Sequence, residues 1–241
     1  MARGDGTHSS PLEGIYDALS TLSDVLTDTT WFQRSLLVGA VLTVIWMTAV
    51  PTDLGRRTVF DTVVLIGGPL ALGVTHGRHI GWTVNRVAVR NGLLLAMFVL
   101  PFYLIGSTLP TIREYYPMWQ TTLAFGEFIP HALQLFILAL AAETYYRGLL
   151  CVGVKEIGFK AVFISPIVYM IHHAGKPPIE FLLSGPTDVL FGAVDYHSNS
   201  ILPSVIAHGA GLVLLDWLVL REPLFDPTAG LRALEWLPIP L

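Results

Sequence analysis

The chain is 241 residues long, with a net charge of −4, 53% hydrophobic residues and 13% charged ones. A soluble domain carries roughly 25% charged residues, so a mean hydropathy of +0.60 excludes an ordinary soluble fold. The small net charge gives no nucleic-acid signal, and a single cysteine, Cys151, excludes an intrachain disulfide framework.

Taken in chain order, residues 1–30 contain Asp5, Glu13, Asp17, Asp24 and Asp28 and lack the apolar core of a secretory signal. Within them Ile15, Leu19, Leu22 and Leu26 recur at helical spacing, which predicts a short amphipathic helix at the interface or over the exposed loops. Residues 31–122 hold three apolar runs, predicted as spans over 32–50, 59–74 and 92–109, the first stopping at Pro51 and the third kinked near Pro101. Residues 123–220 hold four more, over 123–150, 161–173, 179–194 and 200–220, with a break expected at Gly185-Pro186. Residues 221–241 are rich in proline and glycine and read as a surface tail. The expected architecture is an all-α, polytopic membrane bundle of about seven spans, each of about 20 residues. Its partner is the lipid bilayer. Loop Lys and Arg divide seven against six between the two sides, so the positive-inside rule sets no firm orientation. The basic loop after the second run favours a cytoplasmic N-terminus.

The chemistry centres on Glu143 and Arg147, which stand four residues apart inside an otherwise apolar run. Charges there are costly in lipid and are functional by default. One helical turn separates them, so they share a face and can pair. A guanidinium beside a buried carboxylate favours its ionised form. Glu143 can then orient or deprotonate a water, His173 can share that water, and His208 can donate to the oxyanion of an attacked carbonyl. That is a hydrolase layout with water as nucleophile, inside a polar intramembrane cavity. The same Glu143, His173 and His208 are possible ligands of a divalent metal such as zinc. The paired histidines on one helix that mark a strong zinc motif are missing. A purely structural ion pair tying two helices is the plain alternative for Glu143 and Arg147.

Three short motifs carry a resemblance. Ala142-Glu143-Thr144-Tyr145-Tyr146-Arg147-Gly148 resembles the Glu-Glu-x-x-x-Arg-Gly motif of the CAAX protease and bacteriocin-processing (CPBP, or Abi) membrane proteins. Tyr169-Met170-Ile171-His172-His173 is similar to that family's Phe-x-x-x-His, with Tyr for Phe, and His208-Gly209-Ala210-Gly211-Leu212 approaches its His-x-x-x-Asn. The resemblance covers about 134–220. It implies an all-helical membrane core, an endopeptidase cleaving a hydrophobic or lipidated peptide near the membrane, no required cofactor, and a prokaryotic plasma membrane as the location. It implies Glu143, His173 and His208 as catalytic residues, with Arg147, Tyr169 and His172 of the same motifs in support; Asp188 is added as a supporting residue from its place after the Gly-Pro break. Two departures bear on activity. The family's first glutamate, usually the catalytic one, is Ala142, and its asparagine is Leu212. These departures keep open a catalytically inactive scaffold or immunity-type protein that binds a membrane partner or lipid. A proton-coupled transporter using Glu143, Asp188 and the histidines is a third reading.

Other polar residues carry weaker expectations. Asp188 and Asp195 share a helical face, with Asp195 read as part of an exposed turn. Glu127 and His131 read as an interfacial pair, and Asp216 as snorkelling or paired with Arg221. His172 reads as a loop or interface residue on a different face from His173, and Cys151 as a small buried apolar residue.

Overall fold

A computed structural model describes residues 29–234. The predicted helix carrying Ile15, Leu19, Leu22 and Leu26, and the last part of the tail, lie outside the described residues. Among the described residues the chain is all helical. The helices are α1 (Trp31–Ala49), α2 (Leu54–Thr75), α3 (Arg86–Gly106), α4 (Pro110–Tyr115), α5 (Phe125–Leu149), α6 (Ser165–His172), α7 (Pro178–Ser198), α8 (Leu202–Val219) and α9 (Pro227–Leu234). A tight 3₁₀ stretch, Val152–Phe163, joins α5 to α6.

Helix starts follow local chemistry. The Thr30 hydroxyl accepts from the Gln33 backbone N–H at 3.3 Å, while the Gln33 side chain accepts from the Thr30 N–H at 2.9 Å, a reciprocal cap for α1. Asp53 and Asn85 cap α2 and α3 by accepting from the Arg56 and Ala88 N–H groups at 2.9 and 2.8 Å. Helix α1 ends at Ala49, two residues before Pro51, as a proline cannot continue the hydrogen-bond ladder.

Helices α1, α2, α3, α5 and α8 are long and apolar enough to cross a membrane, and the molecule is an integral membrane protein. Exposed Val44 and Met47 on α1, and Leu93, Met97 and Phe98 on α3, present apolar side chains outward, as lipid-facing surfaces do. The region expected to form the fifth span is different in detail. Its helix begins only at Ser165, with Pro166 in the first turn, and eight residues rise about 12 Å, well short of the hydrocarbon core. The preceding stretch is broken where Gly158 adopts φ +74°. The break expected at Gly185-Pro186 is not there: α7 runs through it without interruption. Gly185 instead allows close approach, since a Cβ on it would lie 2.8 Å from the Met170 sulfur of α6.

Helix α8 is the axis of the core, with 56% of its apolar window buried against 17% for α1. Small residues let its neighbours approach closely, as in membrane helix pairs generally. A Cβ on Gly209 would sit 2.7 Å from the Phe136 ring of α5, and one on Gly211 would overlap the Tyr103 ring of α3.

Candidate functional site

Glu143 and Arg147 pair as their spacing predicts. Arg147 Nε lies 3.0 Å from Glu143 Oε2, both side chains fully buried. The guanidinium also reaches α7, where Nη2 is 3.0 Å from Asp188 Oδ1, and Ser165 of α6 donates to the other Asp188 oxygen. Arg147 further lies 4.9 Å from the centre of the Tyr169 ring, within cation–π range. One cation thus joins α5 to α6 and α7, and Glu143 is held beside a permanent positive charge. A π-helical turn, Thr144–Leu149, begins directly after Glu143. Such turns locally reset the helical register and recur at functional sites.

The other Glu143 oxygen points across to α8. Glu143 Oε1 and His208 Nδ1 are 2.5 Å apart. An ionised carboxylate only accepts, so Nδ1 carries the proton, and Nε2 of a neutral His208 is left with its lone pair. His208 lines a cavity of about 390 Å³ that also receives Ala142, Tyr169, His172, His173 and Leu212. Glu143 is not among the lining residues. Its neighbour Ala142 faces the cavity, and Glu143 reaches it only through the His208 ring.

His173 caps α6 and donates through Nδ1 to its own helix at the Tyr169 carbonyl, 2.8 Å away. Its Nε2 is 3.6 Å from Glu180 Oε1. Tyr169 lines the cavity with a hydroxyl that has no hydrogen-bond partner among the described residues. His172 is not a loop or interface residue. It is buried on the cavity wall, stacked on Trp46 at 4.3 Å between ring centres, with Nδ1 bound to the Tyr146 hydroxyl. Asp188 is fully buried and joins the site only through Arg147. Among the described residues no three His, Cys, Asp or Glu side chains are grouped to hold a metal ion.

Several polar residues have other partners than their sequence neighbours suggested. Asp195 is fully buried and accepts from the Ser204 N–H at 3.1 Å, because the turn after α7 folds back onto the start of α8. Glu127 accepts from the Thr122 hydroxyl instead of pairing with His131. His131 of α5 pairs with Asp216 of α8 at 2.7 Å, while Arg221 stacks on Trp217. Long-range pairs of this kind leave no trace in local spacing. Cys151 is buried, as its apolar surroundings suggested.

At the end of the cavity nearest the α4–α5 connection, Glu180 accepts from Tyr116 at 2.9 Å and pairs with Lys176 at 2.6 Å. Burial and the Glu180 charge push the Tyr116 hydroxyl well above the ordinary phenol range. Burial alone would lower Lys176, but the Glu180 carboxylate outweighs it and leaves the ammonium raised. This network clamps the loop between α6 and α7 to the end of α4.

The family model described as type II CAAX prenyl endopeptidase Rce1-like matches residues 124–212. No curated protein and no solved structure matches the chain. The matched stretch takes in α5, α6, α7 and most of α8, together with all three motifs, and it supplies Ala142, Tyr169, His173, His208 and Leu212 of the cavity wall. Over residues 124–212 the chain is thus similar to the type II CAAX prenyl endopeptidase Rce1-like family.

Proposed function

We propose that the protein is an intramembrane endopeptidase of the CAAX-protease type, in which His208 activates the water. The observation that carries this reading is the 2.5 Å contact between Glu143 Oε1 and His208 Nδ1 at a cavity wall. Glu143 keeps the ring in the tautomer whose Nε2 accepts a proton, and it stabilises the imidazolium that forms, as the buried acid of a Ser-His-Asp triad does for its histidine. Arg147 and Asp188 hold Glu143 in place. Water in the cavity gives a proton to His208 Nε2, and its oxygen attacks the scissile carbonyl. Collapse of the tetrahedral intermediate breaks the C–N bond, and the proton passes from His208 to the leaving amine. The products are a new carboxylate and a new amine.

Tyr169 is suited to hold the oxyanion. Its hydroxyl is an unengaged donor on the cavity wall, and it stands where the family motif has a phenylalanine. Leu212, at the asparagine position, can donate nothing. The donor lost at one motif is replaced at another. His173, fixed by the Tyr169 carbonyl, shares the cavity as a second imidazole. No step in this account requires a metal.

The test is cleavage of a farnesylated peptide by the purified protein in lipid nanodiscs, with products identified by mass. Wild-type protein is expected to yield two peptide fragments, and His208→Ala to lose the activity by about 10²- to 10⁴-fold, the usual worth of a positioned general base. A second reading, binding without hydrolysis, is favoured by the neutral side chains of Ala142 and Leu212 on the cavity wall. Saturable peptide binding with no cleavage by the wild type would establish it in place of the first.

A further inference from the structure

A second carboxylate–imidazole pair joins the same two helices. Glu143 of α5 meets His208 of α8 at one level. At the other, the roles are exchanged, and His131 of α5 meets Asp216 of α8 at 2.7 Å. The two pairs differ in their surroundings. Glu143 has Arg147 as a permanent counter-charge and does not line the cavity. Asp216 lines the cavity, is 3% exposed, and has only an imidazole as partner.

The charges around the cavity single out Asp216. Asp61, the other carboxylate on its wall, pairs with Arg57 at 2.6 Å. Lys176 pairs with Glu180 at 2.6 Å. Among the described residues, every permanent cation on the wall is therefore already matched to an acid. Asp216 is the one wall carboxylate among the described residues that is not matched to an Arg or Lys. A buried charge is costly unless it is paired and hydrogen-bonded, and a ligand cation is a partner that Asp216 still lacks.

We propose that Asp216, oriented by His131, binds a cationic group on the ligand that enters this cavity, such as a lysine or arginine side chain. This rests on the peptidase reading above and adds a determinant of specificity to it. The spacing fixes where the cation belongs. Asp216 lies eight residues beyond His208 on one helix, about 12 Å along the axis. An extended peptide covers that distance in about four residues. The favoured ligand has its basic residue about four positions from the bond held at His208, on the side toward the α4–α5 connection.

The experiment measures binding and cleavage separately. Fluorescent farnesylated peptides carry lysine, or its uncharged isostere norleucine, at positions two to six residues from the scissile bond. Affinity is read by anisotropy on the full chain in nanodiscs. The wild type is expected to bind the lysine peptide at about the fourth position at least tenfold tighter than the norleucine one, as for close interfacial charge pairs. Asp216→Asn is expected to bind the two equally. Equal affinity on the wild type overturns the proposal, and that comparison needs no folded variant. A preference that survives in Asp216→Asn, or an Asp216→Asn defect confined to kcat with unchanged affinity, overturns it as well. Failure of the peptidase reading is seen independently, as a lysine preference in binding with neither peptide cleaved.

Discussion

Adjacent helix positions point about 100° apart, and at 142 and 143 this separates two roles. Ala142 faces the cavity and Glu143 is fully buried beside Arg147. A glutamate at 142 would stand on the cavity wall, whereas Glu143 contacts the wall at the His208 ring. The same trade recurs at Tyr169 and Leu212, where a hydroxyl is present and an amide is missing. Two substitutions test that exchange. Tyr169→Phe is expected to lower kcat about 10²-fold with little change in KM, the usual loss of one oxyanion donor. Adding Leu212→Asn to it is expected to restore most of the rate. Unchanged kcat in Tyr169→Phe would remove the phenol from the mechanism. The short-range part of this site was readable in the chain: Glu143 and Arg147 are one turn apart, and one turn apart they pair at 3.0 Å. The partners of His131, Asp195 and His172 were not readable, because each is chosen by a helix or turn distant in the chain, and only packing decides which face is buried.

At the scale of elements, α5 is held to α7 by Arg147 and to α8 by two acid–imidazole pairs. Removing one partner of a buried ion pair leaves a charge uncompensated, at a cost of about 3–5 kcal/mol. Arg147→Met is expected to lower the thermal unfolding temperature sharply in detergent, and Arg147→Met/Glu143→Gln/Asp188→Asn to recover most of it. No recovery in the triple variant would mean that Arg147 acts by shape and not by charge. Close packing makes a separate demand on α8. Gly211→Ala places a methyl group against the Tyr103 ring and is expected to destabilise the α3–α8 contact, whereas Gly106→Ala, with open space around it, is expected to change little. Thermal unfolding of both variants checks the contrast. Hydropathy located the five long apolar helices, because each holds a continuous apolar run, but α2 and α3 start about five residues earlier than their apolar runs, in turns that carry Arg56, Arg57, Arg86 and Arg90. It misplaced the structure between α5 and α7, where Gly158 and Pro166 shorten α6, and it expected a break at Pro186, which is absorbed into α7. Composition alone does not say whether a proline breaks a helix or is tolerated inside one.

For the whole molecule, the alternating course of the helices puts the α4–α5 connection and the Val152–Phe163 stretch at opposite ends of α5. Met118 and Lys160 are exposed there, and Cys151 is fully buried. Met118→Cys and Lys160→Cys are expected to react with a membrane-impermeant maleimide from opposite sides of sealed vesicles, while Cys151 stays unlabelled. Labelling of both from one side would contradict the threading of α5 through the bilayer. The cavity wall includes Met118 and Trp119 of that connection, together with Lys176, Asp216 and His208.

The most direct measurement is the steady-state cleavage of one farnesylated peptide by wild-type protein and Glu143→Gln in nanodiscs, with binding measured alongside. A glutamine keeps the shape at 143 but no longer holds a negative charge against His208. The account predicts turnover by the wild type and a fall in kcat of about 10²-fold or more in the variant, with peptide affinity preserved. Equal kcat in the two proteins would contradict it.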